Sequence, residues 1–195
     1  MLEEYPKQVT LPDGASLTLR PMTRDDQYAI YSFFISLPEE NRRWLGNDVT
    51  DRKLLEKWAR NLNYDRVLPI LAIYDGRIVA NATLHFHTFG WGTHIAEVRV
   101  TITPEFQGRG LGALLLEELS QLAAGHKVKK LLARIVTIQR PVIQAFEKAG
   151  FGLVAELNNY VKDVHQKRYA DIALLVKTLR PENNEVYVKE EQCAR

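Results

Sequence analysis

Six residues in the middle of the chain, QGRGLG at positions 107–112, combine three glycines at alternate positions with one cation. They follow an apolar strand pattern and Pro104 and precede a helical pattern, so they form a turn at the start of a helix. Glycines let a ligand approach the backbone closely, and the free N–H groups of a helix start attract anions such as phosphate. The sequence therefore predicts a phosphate-binding turn, to which Arg109 adds positive charge.

This glycine turn also has alternative interpretations. A tight strand-to-helix turn can require glycine for its geometry alone, and the six residues leave that alternative open. The spacing differs from the G-x-G-x-x-G of a dinucleotide-binding fold, and the next strand, LLARIV, does not end in the acidic residue that binds a ribose there. No Lys-Ser or Lys-Thr pair follows the glycines, which excludes a Walker-type phosphate loop.

Two consecutive strand patterns each present a polar face. On strand 94–103, Glu97 shares its face with Arg99 and Thr101, whereas the apolar residues take the other face. On strand 77–87, the polar set is Asn81, Thr83, His85 and His87. If the two strands pair, these faces would line one cleft. Together with His94, the two strand histidines could bind zinc, but solvation or substrate contact is the favoured interpretation, and we predict no metal site.

Hydrophobic periodicity predicts the elements that position these residues. Strand patterns cover 16–20, 67–74, 77–87, 94–103, 129–136, 151–160 and 169–178. Helical patterns begin near Thr23, Thr50, Leu111 and Pro141, and 37–50 is predicted to be a loop in which a helical turn is left open as an alternative. We therefore expect an α/β (α+β) fold, with a mixed, mostly antiparallel sheet of about seven strands and helices on both faces.

Two motifs resemble one family. VTITPEFQGRGLG at 100–112 is similar to the acetyl-CoA-binding signature of the GNAT superfamily of N-acetyltransferases, which is written Q/R-x-x-G-x-G/A. PVIQAFEKAGF at 141–151 resembles a second signature of that family, and the order of elements is similar to the GNAT fold over residues 15–178. More narrowly, the segments SLTLRPMTRDD and AEVRVTITPEFQGRGLG resemble the catalytic domains of bacterial protein-lysine acetyltransferases.

The resemblance implies acetyl-CoA as cosubstrate. Strand backbone would pair with its pantetheine arm, and the glycine turn would hold its pyrophosphate. The predicted binding residues are Val100, Ile102, Gln107, Gly108, Arg109, Gly110, Leu111, Gly112, Gln139 and Phe146. The family often has Asn at the position of Gln139, whose amide can still bind, and Tyr at that of Phe146. Because Phe146 cannot donate a proton to the leaving thiolate, a general acid is absent there, and Tyr160 is a distant substitute.

Glu97 lies ten positions before Gln107, as the catalytic Glu does in the protein-lysine acetyltransferase domains it resembles. An acceptor amine with a pKa of about 10.4 is mostly protonated at neutral pH, and a nearby carboxylate can take its proton. We therefore predict that Glu97 is a general base for direct attack on the thioester. The structural alternative is a glutamate that pairs with Arg99 or a cross-strand histidine.

Two functions follow from the resemblance. The first is an acetyl-CoA-dependent N-acetyltransferase that acts on a primary amine, which could be a protein lysine, a peptide N-terminus or a small amine. Cys193, in the C-terminal tail, argues against a covalent acyl-cysteine route. The alternative is a GNAT-like domain that binds an acyl-CoA as a sensor or interaction module without turnover, and Phe146 supports it.

Composition limits the remaining possibilities. The 195 residues suit one domain, predicted over 1–180, followed by a charged tail over 181–195. A net charge of +2 gives no sign of a nucleic-acid partner. A single cysteine and the absence of a long apolar segment predict a cytoplasmic protein without signal peptide or membrane span. From the resemblance we also expect a homodimer formed through the last strands.

Overall fold

The computed structural model describes residues 2–163 and 167–179, which form an eight-stranded mixed sheet with helices on both faces. The strands are β1 (Lys7–Thr10), β2 (Ser16–Pro21), β3 (Val67–Tyr74), β4 (Arg77–Phe86), β5 (Ile95–Ile102), β6 (Lys130–Val136), β7 (Gly152–Asp163) and β8 (Arg168–Thr178). The helices are α1 (Gln27–Ser36), α2 (Glu39–Arg42), α3 (Arg52–Arg60), α4 (Leu111–Gly125) and α5 (Arg140–Lys148).

The strands lie in the order β1-β2-β3-β4-β5-β6-β8-β7. All neighbours are antiparallel except β5 and β6, which run parallel and are connected through α4. The larger core cluster packs α4 and α5 against one face of the sheet. A second cluster packs α1 and α3 against the other face, over β3 and the start of β4. The polar face of β4 and β5 is therefore on the same side of the sheet as α1 and α3.

Local sequence explains the two elements nearest to the glycine turn. Asp75 and Gly76 connect β3 to β4 with φ angles of 47° and 73°, the left-handed pair that a tight hairpin needs. In α4 four leucines spaced three or four positions apart form one stripe, and all four are buried in the larger core. They are Leu111, Leu115, Leu119 and Leu122. This packing fixes the start of α4 against the end of β5.

The structure adds two short elements that periodicity did not predict. Strand β1 has only four residues, with a single apolar side chain, Val9, among them. Helix α2 also has four residues and lies within the segment 37–50, where the loop prediction had left a helical turn open. Strand β7 continues to Asp163, three residues beyond its predicted end. The tail predicted over 181–195 lies outside the described residues. Within them, no helix is both long and apolar enough to cross a membrane.

A buried ion pair fixes the connection from β2 to α1. Asp26 receives two hydrogen bonds from Arg20, of 2.6 and 2.7 Å, and one of 2.7 Å from the backbone N–H of Thr23. Burial alone would raise the pKa of Asp26, but these hydrogen bonds outweigh it and lower the pKa below its ordinary value. The pair therefore contributes its full stabilisation at pH values above the ordinary pKa of an aspartate. This stabilisation is lost as the pH falls from that value through the lowered pKa of Asp26 in the folded chain.

We expect Asp26→Asn to lower the free energy of unfolding by about 2–3 kcal/mol, because it leaves the partly buried Arg20 without its counter-ion. Urea denaturation at pH 7 measures the change. Asp25→Asn is the matched control, because the neighbouring Asp25 is exposed and should shift stability by less than about 0.5 kcal/mol. Equal effects of the two variants would contradict a stabilising role for the ion pair.

Candidate functional site

Strands β5 and β6 separate from each other halfway along the sheet. They pair only over Ile95–Glu97 and Lys130–Leu132, whereas β4 stays paired with β5 as far as Ile102. From Val98 onward, the edge of β5 that faces β6 has no strand partner among the described residues. The two parallel strands therefore enclose a wedge that opens toward the glycine turn.

The backbone of β5 points polar groups into this wedge. The N–H of Thr103 donates to the carbonyl of Val79 at 2.9 Å. Antiparallel strands alternate their hydrogen bonds, so Val100 and Ile102 direct their N–H and C=O groups to the opposite side, away from β4. The side chain of Gln107 donates to the Ile102 carbonyl at 3.0 Å. An extended ligand could add to this edge in the way that a strand does.

The glycine turn lies at the wide end of the wedge. Gly108 and Gly110 have φ angles of 72° and 91°, which other residues rarely adopt. Gly110 directly precedes α4, and no side chain of the described residues caps this helix start. The first N–H groups of α4 therefore remain available to an anion. A Cβ on Gly108 would meet nothing within 4 Å, so the turn has open space beside it. Its geometry suits a ligand that is both anionic and extended.

The side chain of Arg109 has its partners within the protein and is not free to meet a ligand at the start of α4. Its guanidinium pairs with Asp13 and lies 4.4 Å from the ring centroid of Phe106. One terminal nitrogen also donates to the carbonyl of Glu105 at 3.2 Å. The side chain thus fastens the turn to the β1–β2 connection, and the backbone N–H groups of the turn are what remains available to an anion.

The two remaining residues predicted to bind acetyl-CoA lie at the start of α5 and within it. Gln139 is half-buried and directly precedes this helix. Phe146 is only 5% exposed and packs edge-to-face on Phe151, with a centroid distance of 5.0 Å. Its ring therefore belongs to the main core. Tyr160, the distant substitute for an acid, is 57% exposed on β7, which β6 and β8 separate from β5.

Glu97 lies at the point where the wedge begins. Its carboxylate accepts a hydrogen bond of 2.9 Å from Nε of Arg99 and one of 2.6 Å from a terminal nitrogen of Arg134. Burial alone would raise the pKa of Glu97, but the two arginines outweigh it and lower the pKa below its ordinary value. Glu97 is therefore ionised throughout the neutral pH range. The predicted pairing with Arg99 is present.

His85 lies opposite Glu97 on the neighbouring strand. One ring nitrogen lies 3.0 Å from the hydroxyl of Thr83. Burial, helped by the charge of Arg99, lowers the pKa of His85 to about 4, so the imidazole is neutral near pH 7. No three His, Cys, Asp or Glu side chains are grouped to hold a metal ion in the ranges 2–163 and 167–179.

The lowered pKa of His85 makes stability depend on pH. In the unfolded chain, His85 binds a proton below its ordinary pKa of 6.5. In the folded chain, it binds that proton only below about pH 4. We expect the free energy of unfolding to fall by about 2 kcal/mol from pH 6.5 to 4.5 and His85→Gln to remove most of this fall. Urea denaturation across that range measures it, with the exposed His94→Gln as control. An unchanged slope in His85→Gln would rule out this assignment.

Two ion pairs on the polar side of the sheet were not predicted from the sequence: Arg134 with Glu97, and Arg43 with Asp163. Arg134 is the one charged residue within the apolar run LLARIV, and that departure from the pattern was the available signal. Arg43 follows α2 and contacts the buried Asp163, at the end of β7, at 3.5 Å. This second contact joins residues 120 positions apart, and nothing in their local patterns indicated it.

Comparison with known proteins identifies the family to which the sequence is similar. The model of the Acetyltransferase (GNAT) family matches residues 29–151. A Bacillus subtilis (strain 168) protein named Putative phosphinothricin acetyltransferase YwnH is 28% identical over 144 residues, which are 73% of this chain and 78% of that protein.

Solved structures share the fold. The GNAT domain of S. lividans PAT is 19% identical with a TM-score of 0.72, and the match covers 89% of this chain and 96% of that one. The protein yncA from Salmonella typhimurium, solved with its cofactor acetyl-CoA, is 21% identical with a TM-score of 0.71, over 86% of this chain and 96% of that one. The predicted fold is confirmed, with eight strands in place of about seven.

Proposed function

The chain belongs to the acetyltransferase (GNAT) family, whose members use acetyl-CoA, and we propose that it transfers the acetyl group to a primary amine with Glu97 as general base. The acceptor classes considered are a protein lysine, a peptide N-terminus and a small amine. The observation that carries the proposal is the separation of β5 from β6 at Glu97. It leaves an unpaired strand edge that runs from Glu97 toward the start of α4, where uncapped N–H groups are available to an anion, and this arrangement supports the proposal.

Two parts of the chain would hold acetyl-CoA. The backbone of Val100 and Ile102 offers hydrogen bonds to an amide-bearing pantetheine arm, as an added strand would. The N–H groups from Gly108 to Gly112 offer donors to the pyrophosphate. The half-burial of Val100 and Ile102 supports this placement, because Ala96 and Val98 earlier in the strand are 0% and 3% exposed. A ligand in the wedge would cover the apolar surface that β6 leaves open.

Acetyl-CoA supplies a thioester, and the protein supplies positioning and proton transfer. The amine nitrogen forms a bond to the acetyl carbon, the carbon–sulfur bond breaks, and the sulfur leaves as a thiolate. Glu97, directly or through a water, takes the proton that the amine loses and later releases it to solvent. The thiolate takes up one proton from solvent, so the reaction is balanced. The backbone N–H of Val100 or Ile102 stabilises the negative charge that develops on the carbonyl oxygen.

A thiolate needs no enzymic acid. With an ordinary pKa of about 8.5, a thiol is already two units more acidic than an alkylammonium, so it leaves readily as an anion. The core position of Phe146 is therefore compatible with turnover. It is also the observation that favours the second candidate, a domain that binds acyl-CoA as a sensor without transferring the acyl group. Persistent acetyl-CoA binding without thiol release in the presence of amines would favour that sensor.

Calorimetric titration with acetyl-CoA, CoA and NAD tests the cosubstrate. We expect micromolar binding of both CoA species and no binding of NAD, because the turn has neither the spacing nor the ribose-binding acid of a dinucleotide fold. Binding of NAD alone, or of none of the three, would contradict the proposal.

The homodimer stays a prediction. Strand β7 lies at one edge of the sheet, opposite β1, and the exposed side chains of Leu153, Val154 and Tyr160 lie along it. An unpaired, partly apolar edge strand is a surface on which a second copy could pair. Light scattering of the purified protein at several concentrations determines whether the molecule is a monomer or a dimer.

A further inference from the structure

We propose that the acceptor amine is a small molecule that carries its own carboxylate, bound by Arg99 and Arg134. This inference rests on the proposed function and narrows its three acceptor classes to one. It starts from the charge balance at Glu97. Two guanidinium groups share this one carboxylate, so the cluster keeps one excess positive charge.

The excess charge lies on the outer side of the cluster. The side chains of Arg99 and Arg134 are each 40% exposed, whereas that of Glu97 is 16% exposed. Each arginine gives Glu97 one hydrogen bond, and a guanidinium has five N–H donors. Solvent or a ligand therefore meets cationic donors first, with the carboxylate beneath them. A planar fork of donors matches a carboxylate in two parallel hydrogen bonds.

The neighbouring groups do not cancel this charge. His85, opposite Glu97, is neutral near pH 7 because burial lowers its pKa to about 4. Thr83 and Asn81, the next polar residues along β4, are uncharged. Arg43, from the segment after α2, has its own partners in Asp163 at 3.5 Å and Glu39 at 3.6 Å. These groups therefore leave the excess positive charge of Arg99, Glu97 and Arg134 in place.

The segment after α2 limits the size of the acceptor. A Cβ on Gly46 would lie 3.8 Å from a terminal nitrogen of Arg99, so this segment passes directly over the cluster. The contact between Arg43 and Asp163 links the same segment to the end of β7. A small zwitterion fits between such a cover and the sheet more easily than a lysine on a folded protein. A polyamine would bring only positive charges to two arginines and would be repelled.

The same charge also assists the reaction. A cation near an ammonium group lowers the pKa of that ammonium, since like charges disfavour the protonated form. An acceptor whose anion binds Arg99 and Arg134 would hold its amine beside them and beside Glu97. The arginines would therefore orient the acceptor and increase the neutral fraction of its amine.

The test compares the common α-amino acids with their methyl esters, spermidine and a lysine-containing peptide, each as acceptor with acetyl-CoA. We expect at least one free amino acid to exceed its own ester by at least about 10-fold in kcat/KM, although the ester amine is less basic and more often neutral. In Arg134→Gln and Arg99→Gln this ratio should fall toward one. The control Arg60→Gln, on the exposed surface of α3, should keep it. Preference for esters, spermidine or the peptide would overturn the inference.

A binding measurement separates this inference from the proposed function. The same amino acids are titrated by calorimetry into the wild-type protein, Arg134→Gln and Arg60→Gln, all saturated with CoA. Binding that is lost only in Arg134→Gln supports the arginine site, whether or not acetyl transfer occurs. If binding occurs without transfer, the proposed function is contradicted and the arginine site is not. Transfer to an amine with an unchanged acid-to-ester preference in Arg99→Gln and Arg134→Gln supports the function and overturns the arginine site.

Discussion

Replacement of Gly110 by Glu is expected to weaken acetyl-CoA and CoA binding by at least about 100-fold. At this position φ is 91°, and a Cβ would approach Pro12 to 3.2 Å, so any side chain forces the turn to shift. The new carboxylate would also lie at the start of α4, where the proposed pyrophosphate needs positive field. Calorimetric titration of the variant with both ligands measures the loss.

Gly150→Glu is the control for strain and charge. Gly150 has a nearly equal φ of 89°, follows α5, and its Cβ would meet only the flexible Lys177 side chain at 3.7 Å. Both variants should lose about 1–2 kcal/mol of unfolding free energy from backbone strain, but only Gly110→Glu should lose binding. Full binding by a folded Gly110→Glu would mean that the glycines serve the turn alone.

Replacement of Glu97 by Gln is expected to lower kcat at neutral pH by about 10² to 10⁴-fold and to leave CoA affinity nearly unchanged. The variant removes the carboxylate that would accept the proton, whereas the proposed CoA contacts are backbone groups of β5 and the glycine turn. Steady-state rates and calorimetry on the same preparation measure both quantities. A rate within about 3-fold of wild type would remove Glu97 from the mechanism.

Two further readouts distinguish a base from a structural ion pair. Glu147→Gln, on the exposed side of α5, is the control and should keep full rate. Because the arginines lower the pKa of Glu97, this group stays ionised down to acidic pH. Wild-type activity should therefore rise with pH as the acceptor ammonium loses its proton, and Glu97→Gln should be slow at every pH. A variant whose only defect is reduced stability would instead indicate that Glu97 serves the fold.

The sequence predicted the framework because its strongest signals are local. The Asp75-Gly76 hairpin, the leucine stripe of α4 and the glycine turn each depend on residues a few positions apart, and the structure contains all three. The alternation on β5 placed Glu97 and Arg99 on one face, and the structure confirms their contact. Strand β1 was missed because four residues contain too little periodicity, whereas the four residues of α2 are the helical turn that the prediction for 37–50 left open.

The contacts that define the electrostatics at Glu97 could not be predicted in the same way. Arg134 reaches Glu97 because β6 pairs with β5 in parallel, and the residues lie 37 positions apart. Arg43 meets Asp163 because the segment after α2 crosses the face of the sheet to the end of β7. Both contacts depend on strand order and helix placement, which local periodicity leaves undetermined.

The central proposal is that the protein catalyses acetyl transfer from acetyl-CoA to an amine. The most direct measurement quantifies free CoA thiol and N-acetylated product in one reaction, with wild-type protein, acetyl-CoA and the amine panel described above. We predict equal amounts of both products with at least one amine and no release above background without protein. Tight acetyl-CoA binding with neither thiol nor acetylated amine formed across the panel would contradict the enzyme and leave the acyl-CoA sensor.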